Sequence, residues 1–483
     1  MDYSQFLAMK QEIGLLIVFL LVFLYDTFFS KKAQGALPVV TCVVFALYTL
    51  FGFICPCVKE SATAFGGMYF TSPVLVAIKN ILNLGALIVM IQAVNWADTD
   101  FIKVRRGEFY ELMLLTLFGM YLMMSSNHFL VFVIGLETAS LPLAAMVAFN
   151  KNHFESHEAA VKYLLTAVFS SAIMLMGLSL VYATAGTLYY DGIFIAMIYS
   201  DINVMVVVAL AFVMAGFGFK LSLVPFHLWT ADVYQGAPTP VTSYLSVISK
   251  GSAAFAFLVV LTQAFGFLYA DAWEWMLYAL IILTITVGNL FAMRQRNMKR
   301  FLAFSSISQA GYIMLAIVGL NEMGVSALMF YVLVYIFSNL AAFGVIGSIE
   351  HAAGKVDMDD YNGLYKTNPR LAVTMMLAMF SLAGIPPFAG FFSKFFVFTS
   401  ALSGPGTGAA LYVLVLIALI NTIISLYYYL LVVKAMFIND SETPIATFRS
   451  TFAQRLGMWV CTAGILGLGI VSYFYDYLLT VVE

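Results

Sequence analysis

The chain has 483 residues, of which 63% are apolar and only 10% are charged. An ordinary soluble domain carries roughly a quarter of its residues as charged side chains, so this composition excludes a water-soluble globular protein. The formal net charge is -2 and no long basic run occurs, which also argues against a nucleic-acid-binding module. A lipid bilayer is the solvent that accommodates so apolar a chain.

The apolar stretches are long enough to cross a bilayer, because a spanning helix needs about 20 residues. The predicted spans lie at approximately 12–30, 36–55, 73–96, 109–125, 128–149, 158–183, 202–230, 238–265, 273–293, 300–319, 323–349, 370–400, 409–437 and 455–480. Helices are the expected form, since lipid offers no hydrogen-bond partner to an open strand. The expected fold is therefore an all-α polytopic membrane protein with about fourteen transmembrane helices.

The basic residues outside the spans are distributed unevenly between alternate connections. The poorer set contains only Lys10 and Lys59. The richer set comprises Lys31, Lys32, Lys103, Arg105, Arg106, Lys151, Arg294, Arg296, Lys299, Arg300, Lys355, Lys366, Arg370, Lys434, Arg449 and Arg455. By the positive-inside rule, the richer set faces the cytoplasm and both termini face the outer, periplasmic side. The N-terminus lacks the pattern of a removable signal peptide, so the first helix is expected to remain in the mature protein.

Two predicted helices, the seventh and the twelfth, are interrupted by proline. Pro225 lies in GFGFKLSLVPFHLW, and Pro386 and Pro387 lie in AGIPPFAGFFSKFF. Proline removes a backbone donor and clashes with the preceding turn, so both helices are predicted to be discontinuous, although kinks without function are the alternative. The breaks lie five helices apart, and an odd number of helices gives two units of inverted topology. The predicted organisation is an N-terminal three-helix segment (1–108), two inverted five-helix repeats (109–265 and 266–437) and a C-terminal helix (438–483).

Four ionisable residues lie well inside predicted spans, where each costs about 2.5 to 3.5 kcal/mol on insertion scales. They are Glu137 in the fifth helix, Lys220 in the seventh, Lys250 in the eighth and Lys394 in the twelfth. Burial generally lowers a lysine pKa and a nearby carboxylate raises it, so a buried lysine can release and recapture a proton near neutral pH, whereas arginine stays charged. The pattern predicts a proton path, and a static ion pair between Glu137 and Lys220 is the alternative.

Two further lysines are harder to place. Lys162 lies about one turn inside the sixth helix and four positions after Glu158, so it is either part of a surface ion pair or part of the path. Lys79 lies near the outward end of the third helix and is expected to extend its ammonium to the surface. We therefore leave Lys79 out of the predicted site.

The segment after Pro225 contains two more candidates. His227 titrates near neutrality in its unperturbed form, so it is either a proton relay between Lys220 and the inner surface or an ordinary hydrogen-bonding residue. Asp232 either receives protons at the inner mouth or caps a helix. His351, at the end of another helix, is expected to be solvated but is also placed to control access to the path.

The sequence contains no motif for a redox centre. It lacks a dinucleotide-binding glycine pattern, a phosphate-binding loop and a cluster-binding cysteine run. The four cysteines, Cys42, Cys55, Cys57 and Cys461, show neither metal-ligand spacing nor a disulfide framework, although a redox role for Cys55 and Cys57 stays open. The chain is therefore expected to hold no cofactor or metal, and its driving energy must come from partner subunits or an ion gradient.

Five motifs in fixed order carry a resemblance to a known family. They are IGLETASLPLAAM at 134–146, GFGFKLSLVPFHLWTADVYQGAPTPV at 216–241, SK at 249–250, FLAFSSISQAGY at 301–312 and AGIPPFAGFFSKF at 383–395. Together they resemble the antiporter-like membrane subunits of respiratory complex I. The lysine in the twelfth helix resembles the N-type members in particular, since M-type members usually carry glutamate there.

The resemblance implies a role for each candidate residue. Glu137 and Lys220 match the family's paired glutamate and lysine, Lys250 its central lysine and Lys394 its terminal lysine on the outward side. The resemblance also brings Lys162 into the site. Proton translocation in the membrane arm of an NADH:quinone oxidoreductase is the function that these matches imply.

The family also implies the surroundings of the chain. K-like and M-like subunits and the lateral helix of an L-like subunit would be its neighbours in a bacterial inner membrane. NADH, FMN, iron-sulfur clusters and quinone would be bound by partner subunits.

The sequence leaves two rival functions open. The same lysines would serve a multisubunit cation/proton antiporter or a membrane-bound hydrogenase. A passive scaffold between two pumping subunits is another interpretation, and it predicts that replacing Lys250 or Lys394 leaves turnover unchanged.

Overall fold

The structure, a computed structural model, describes residues 3–29, 33–54, 60–199, 204–268, 272–404, 408–471 and 473–482. Five residues used in the charge and cysteine predictions lie outside the described residues, namely Lys31, Lys32, Cys55, Cys57 and Lys59. The described part is almost entirely helical, with one short β-hairpin. The predicted all-α fold class is confirmed.

The helices follow one another with short connections. They are α1 (Lys10–Phe28), α2 (Leu37–Ile54), α3 (Pro73–Ala97), α4 (Arg106–Met124), α5 (Phe129–Val147), α6 (Phe154–Ala185), α7 (Tyr190–Tyr199), α8 (Val204–Leu221), α9 (Leu228–Gly236), α10 (Thr239–Tyr244), α11 (Lys250–Gln263), α12 (Glu274–Ala292), α13 (Met298–Val318), α14 (Glu322–Ala353), α15 (Leu364–Thr367), α16 (Pro369–Ala383), α17 (Ala389–Leu402), α18 (Gly408–Phe437), α19 (Phe452–Ile470) and α20 (Tyr473–Val482). Short 3₁₀ segments lie at Tyr3–Met9, Ala33–Ala36, Gly266–Leu268 and Met358–Tyr361. The strands β1 (Ala62–Ala64) and β2 (Tyr69–Thr71) pair antiparallel, with Ala62 opposite Thr71.

Helix ends coincide with capping residues. The Ser72 hydroxyl accepts from the Leu75 amide at 3.3 Å at the start of α3, and the Asn321 side chain accepts from the Gly324 amide at 2.7 Å at the start of α14. Gly354 ends α14 with a φ of 67°, a left-handed conformation that glycine adopts without steric cost. Caps of this kind supply partners for backbone groups that a helix end leaves open.

Within the described residues, eleven helical stretches are long and apolar enough to cross a membrane, and α19 with α20 makes a twelfth if that bent pair is one span. The chain is therefore a multi-span membrane protein. The predicted fourteen spans exceed this number because α4 starts with Arg106, Glu108 and Glu111, and because α16 and α17 are each short.

Two fully buried helices form the centre of the molecule. The apolar windows of α13 and α14 are each 100% buried. The helix α14 packs against α3, α16, α17, α19 and α20, while α13 packs against α9, α12 and α17. Four peripheral helices are much less buried, namely α1, α2, α6 and α18. At most 33% of the residues in the apolar stretch of each are buried, so their outer faces are available to lipid or to neighbouring subunits.

The helices α4 and α5 approach unusually closely. A Cβ atom added at Gly119 would lie 2.4 Å from the Ala139 amide nitrogen, and one at Gly135 would lie 2.5 Å from the Met123 amide nitrogen. Small residues at a crossing allow two membrane helices to bring their backbones together. This crossing fixes the position of α5 along its axis relative to α4, and α5 carries Glu137.

Both proline-dependent breaks are present. The first separates α8 from α9 and the second separates α16 from α17. The Val224-Pro225 and Pro386-Pro387 peptide bonds are cis. In the first break the Val224 amide, released from helical bonding, donates to the Thr284 hydroxyl of α12 at 3.0 Å. The neighbouring helix thus satisfies a backbone group that the break exposes.

The sequence did not predict a further irregularity in the eighth predicted span. The segment Leu245–Ser249, between α10 and α11, is a π-helical turn, referred to below as the π turn. Lys250 follows it directly as the first residue of α11. No proline or glycine marks this segment in the sequence, so helical periodicity alone cannot reveal it.

Basic loops gather at one side of the molecule. We call the side formed by loops 98–105, 148–153 and 293–297 the basic side. Phe101, Asn150 and Lys299 line one common cavity there, and the Met298 amide donates to the Val356 carbonyl at 2.9 Å. The β-hairpin precedes the opposite end of α3, so it lies away from the basic side.

Candidate functional site

Lys220 lies in the last turn of α8, where its side chain is almost completely buried. Its ammonium donates to the Ser140 hydroxyl of α5 at 2.7 Å. Glu137, one turn before Ser140, is only partly buried. Among the described residues Lys220 and Glu137 do not form a direct ion pair, so the alternative of a static pair holding two helices together is not what the structure contains.

His227 lies at the end of the first break, immediately before α9. Its imidazole is partly buried, and its Nδ1 atom has no hydrogen-bond partner among the described residues. The charge of Lys250 acts on this ring, whereas no hydrogen bond within the described residues joins it to Lys220. The predicted relay between Lys220 and the inner surface therefore stays a prediction, and the ring lies within electrostatic reach of the next lysine.

Lys250 projects from the start of α11 into the centre of the molecule and is 2% exposed. Its ammonium donates to the Ser306 hydroxyl of α13 at 2.8 Å. The same ammonium lies 5.6 Å from the centre of the Tyr234 ring, within the range of a cation–π contact. Among the described residues, the groups that hold Lys250 are thus neutral.

Lys394 lies in α17, just after the second break, and is 4% exposed. It donates to the carbonyl oxygens of Leu382 at 3.0 Å and Ala383 at 3.2 Å, which are the last residues of α16. Its ammonium lies 4.9 Å from the Tyr312 ring centre. The free carbonyls and negative dipole end of a half-helix stabilise a cation, which explains why no carboxylate is needed here.

A series of polar side chains along α13 lies between Lys250 and Lys394, and among the described residues hydrogen bonds join its members except at the step from Ser306 to its chain neighbour Ser305. Ser305, next to Ser306, contacts the Tyr429 hydroxyl at 2.5 Å. Gln309 donates to that hydroxyl at 3.1 Å and to the Leu382 carbonyl at 3.3 Å, the same carbonyl that Lys394 contacts. Sequence reasoning missed these uncharged members, although Ser305, Ser306 and Gln309 stand out as polar residues in an otherwise apolar span.

A small cavity of about 10 Å³, room for about one water molecule, adjoins this series. Its lining combines apolar with polar side chains, the latter including Gln309, Tyr331, Tyr335, Ser338, Ser381, Ser393 and Lys394. The Ser338 and Ser381 hydroxyls contact each other at 2.7 Å, and the Tyr335 hydroxyl has no partner among the described residues. A buried polar space of this kind is suited to ordered water.

Lys162 forms the surface ion pair that the sequence predicted as one interpretation, while its part in the proton path stays a prediction. It forms the surface pair with Glu158 at 2.7 Å, and it also pairs with Asp232 of α9 at 2.6 Å. Arg300 of α13 binds the other oxygen of Asp232 at 2.6 Å. Asp232 lies in the middle of α9 and does not cap it, so the capping alternative is wrong. We call Lys162, Asp232 and Arg300 the flank cluster.

The prediction that Lys79 extends its ammonium to the surface is wrong. It does not reach the surface, since it is 0% exposed and pairs with Glu12 of α1 at 2.5 Å. The ammonium also donates to the Ser125 hydroxyl at 2.7 Å and lies 5.2 Å from the Tyr121 ring centre. Because the Glu12 carboxylate pairs with the ammonium inside the protein, Lys79 does not need to reach water. The usable signal was Glu12 itself, an acidic residue at the start of an apolar helix.

The basic side contains a cavity of about 450 Å³. It is lined by polar and charged residues of α10, α13 and α14, including Thr239, Ser243, Lys299, Glu350 and His351. Lys299 pairs with Glu350 at 2.8 Å, and the Thr239 hydroxyl donates to the same carboxylate. We call this space the basic-side cavity.

Among the described residues, no group of three or more His, Cys, Asp or Glu side chains is arranged to hold a metal ion. The buried lysines, the broken helices and the polar series together define a membrane subunit of the antiporter type. The comparisons agree, since the family model described as "NADH:quinone oxidoreductase/Mrp antiporter, TM" matches residues 126–425, which is more than half of the chain.

Two curated relatives match almost end to end. NADH-quinone oxidoreductase subunit N of Phocaeicola vulgatus is 50% identical over 479 residues, covering 99% of each protein. Subunit N of Azobacteroides pseudotrichonymphae is 49% identical and covers 100% of this chain and 98% of the relative. The chain therefore belongs to the NADH-quinone oxidoreductase subunit N family. The resemblance to N-type members, predicted from motifs, is confirmed.

Solved structures share the fold. A chain of respiratory complex I from Thermus thermophilus with bound aureothin superposes with a TM-score of 0.80 at 30% identity, covering 96% of this chain and 97% of that chain. A chain of the Mrp complex from Dietzia sp. gives a TM-score of 0.85 at 20% identity, covering 100% and 97%. The second similarity concerns the fold alone.

Proposed function

We propose that this chain moves protons across the membrane through Glu137, Lys220, Lys250 and Lys394, assisted by Lys162 and His227. As a member of the subunit N family, the chain is a membrane subunit of proton-translocating NADH-quinone oxidoreductase, or complex I. NADH, FMN, iron-sulfur clusters and quinone are bound by partner subunits. Charge movement that starts at quinone reduction and spreads along the neighbouring subunits changes the protonation of the lysines.

The polar series along α13 between Lys250 and Lys394, which is hydrogen-bonded on either side of the step from Ser306 to Ser305, is the observation that carries this proposal. Removing an ammonium from water is costly unless a charge partner compensates, and within the described part of the chain both lysines contact neutral groups. A purely structural position would favour an apolar residue there. Serine, glutamine and tyrosine side chains both donate and accept hydrogen bonds, so together with water they are suited to passing a proton along α13.

In the proposed cycle a proton from the cytoplasm reaches Lys220 near Glu137. His227 relays this proton between the inner surface and Lys220. When the attraction of the Glu137 carboxylate for the Lys220 ammonium weakens, Lys220 releases its proton toward Lys250. The proton continues along the α13 series to Lys394, which releases it on the outer side. Each step exchanges one proton between neighbouring groups, and no step requires a redox centre in this chain.

The proposed topology of the chain has fourteen membrane crossings. It adds α4 and the α16 with α17 pair to the twelve candidate spans, with both termini on the periplasmic side of a bacterial inner membrane. It retains the segments 1–108, 109–265, 266–437 and 438–483, the middle two being inverted repeats. The basic side faces the cytoplasm. K-like and M-like subunits, with the lateral helix of an L-like subunit, are the proposed neighbours.

The test uses Lys220→Ala and Glu137→Ala in the assembled enzyme. We expect each to lower NADH-driven proton uptake by about tenfold or more, which corresponds to roughly 1.4 kcal/mol of added barrier. Lys103→Ala is the matched control, because Lys103 is an exposed lysine that pairs with the likewise exposed loop residue Asp100. Proton uptake into inverted membrane vesicles is measured beside NADH oxidation and native-gel assembly. Full pumping in a normally assembled Lys220→Ala enzyme contradicts the proposal.

A further inference from the structure

The basic-side cavity points to a route that the proposed cycle does not use. We propose that it is a second proton inlet, which loads Lys250 from the cytoplasm without passing through Lys220. This inference rests on the proposed function, because it requires Lys250 to carry protons. Its ligand is water and the protons that water delivers.

Glu350 is the proton-accepting group at the mouth of the inlet. Its side chain is 34% exposed, so one part of the carboxylate faces the cavity while another part contacts protein. Lys299 holds one carboxylate oxygen at 2.8 Å, and the Thr239 hydroxyl donates to the other. These contacts fix the carboxylate at the cavity wall, where solvent reaches it.

Polar groups continue from the cavity toward Lys250. Ser243, which lines the cavity, is only 2% exposed and therefore marks its inner end. Ser246, one turn further along the same stretch, accepts a hydrogen bond from the Asn339 amide of α14 at 2.7 Å. Lys250 follows Ser246 after four positions, across the π turn. Ser243, Ser246 and Lys250 thus form consecutive steps along one helical stretch.

Asn339 supplies an independent indication of water on this route. It is 0% exposed, and its Oδ1 atom has no hydrogen-bond partner among the described residues. A buried carbonyl oxygen without a partner is unfavourable, and a bound water is the usual way to satisfy it. Because the other end of this amide holds Ser246, such a water would lie beside the route from Ser243 to Lys250.

The alternative route through Lys220 is apolar at the corresponding place. The Trp229 ring centre lies 5.1 Å from that of Phe219 and 5.2 Å from that of Tyr163. Phe219 is the chain neighbour of Lys220, and Tyr163 is that of Lys162, so aromatic rings accompany this approach. Hydroxyl and amide groups accompany the approach to Lys250 instead.

The transfer involves protons alone. Glu350 takes a proton from cavity water and returns it to the water beside Ser243, and the Lys250 amine accepts it to become the ammonium. The ammonium then passes the proton on toward Ser306. No bond between heavy atoms changes and no electron moves.

Cysteine labelling tests the inlet in the assembled enzyme. Ser243→Cys is placed in inverted vesicles, whose medium faces the basic side, and treated with a membrane-impermeant methanethiosulfonate. We expect modification to lower NADH-driven proton uptake several-fold relative to the same variant before treatment. Phe101→Cys is the matched control, because Phe101 lines the same cavity but is 73% exposed at its rim, so its modification should leave uptake unchanged. The unsubstituted enzyme, treated identically, accounts for the native cysteines.

Two results overturn the inlet. One is complete modification of Ser243→Cys with unchanged uptake. The other is modification of Phe101→Cys while Ser243→Cys stays unmodified, since solvent then does not reach the inner end. Lys250→Ala separates this failure from failure of the proposed function. If Lys250→Ala stops pumping while modified Ser243→Cys pumps normally, only the inlet is wrong.

Discussion

At the scale of single residues, the buried lysines share one kind of environment. Lys220 and Lys250 each donate to a serine hydroxyl, and Lys394 donates to helix-end carbonyls. Sequence reasoning identified these lysines because an ammonium inside a span is conspicuous. It could not identify Ser140 or Ser306, because a serine in a membrane helix usually bonds to its own backbone.

Lys79 shows why position along a helix is an unreliable guide to exposure. The sequence placed it near a helix end, and snorkelling followed from that placement. Its partner Glu12 lies 67 positions away, and only the tertiary arrangement, in which α2 packs against both α1 and α3, brings them together. Long-range pairing of this kind is decided by tertiary structure, which a local pattern does not contain.

The Glu12 and Lys79 pair should behave as a buried ion pair. Lys79→Met leaves the Glu12 carboxylate buried without its charge partner, so we expect a loss of about 3–5 kcal/mol in unfolding free energy. Glu12→Leu combined with Lys79→Met removes both charges and should recover most of that loss. Assembly yield and thermal inactivation of the purified complex measure the effect. A double variant as unstable as the single one would show that the charges do not act as a pair.

At the scale of elements, the proline breaks were predictable and the π turn was not. Proline has a local and unambiguous effect on a helix, so Pro225 and Pro386 located both breaks. The π turn contains Leu, Ser, Val and Ile, residues that an ordinary helix also accommodates. It arises from packing between α3, α10 and α14, which surround it.

The π turn sets the direction of Lys250 relative to α10. Inserting one alanine after Val247 adds a residue to this segment, and if the segment stays helical the insertion turns Lys250 by about 100° relative to α10. We expect loss of the Ser306 contact and of proton pumping in an enzyme that still assembles. Inserting one alanine after Glu442, in the exposed loop after α18, is the matched control and should leave pumping intact. Normal pumping by the Val247 insertion would show that this segment does not set the direction of Lys250.

At the scale of the whole molecule, fold and sequence carry different information. The Dietzia Mrp chain superposes with a TM-score of 0.85 at only 20% identity, so the shape is common to antiporter and respiratory complexes. Relatives at 50% and 49% identity narrow the family to subunit N. Composition alone predicted a polytopic membrane protein, but the number of crossings depends on α4, whose charged first turn makes it a weak candidate by hydropathy.

The isolated chain should be tight to protons. Lys250 and Lys394 are 2% and 4% exposed, and the helix that joins their surroundings is buried over its full apolar window. Without neighbouring subunits to alter their protonation, no driven cycle takes place. We therefore expect liposomes containing the purified chain to hold a pH gradient as long as empty liposomes, as followed with a pH-sensitive dye. A sustained leak would contradict this expectation.

The flank cluster also matters while the enzyme is being built. In the isolated chain, the exposed fractions of the side chains are 42% for Lys162, 36% for Asp232 and 31% for Arg300. They stand beside the apolar outer face of α6, where Leu165 is 65% exposed. A newly inserted orphan copy thus shows charged groups on a flank that otherwise suits lipid. A neighbouring subunit that docked against that flank would cover these charges.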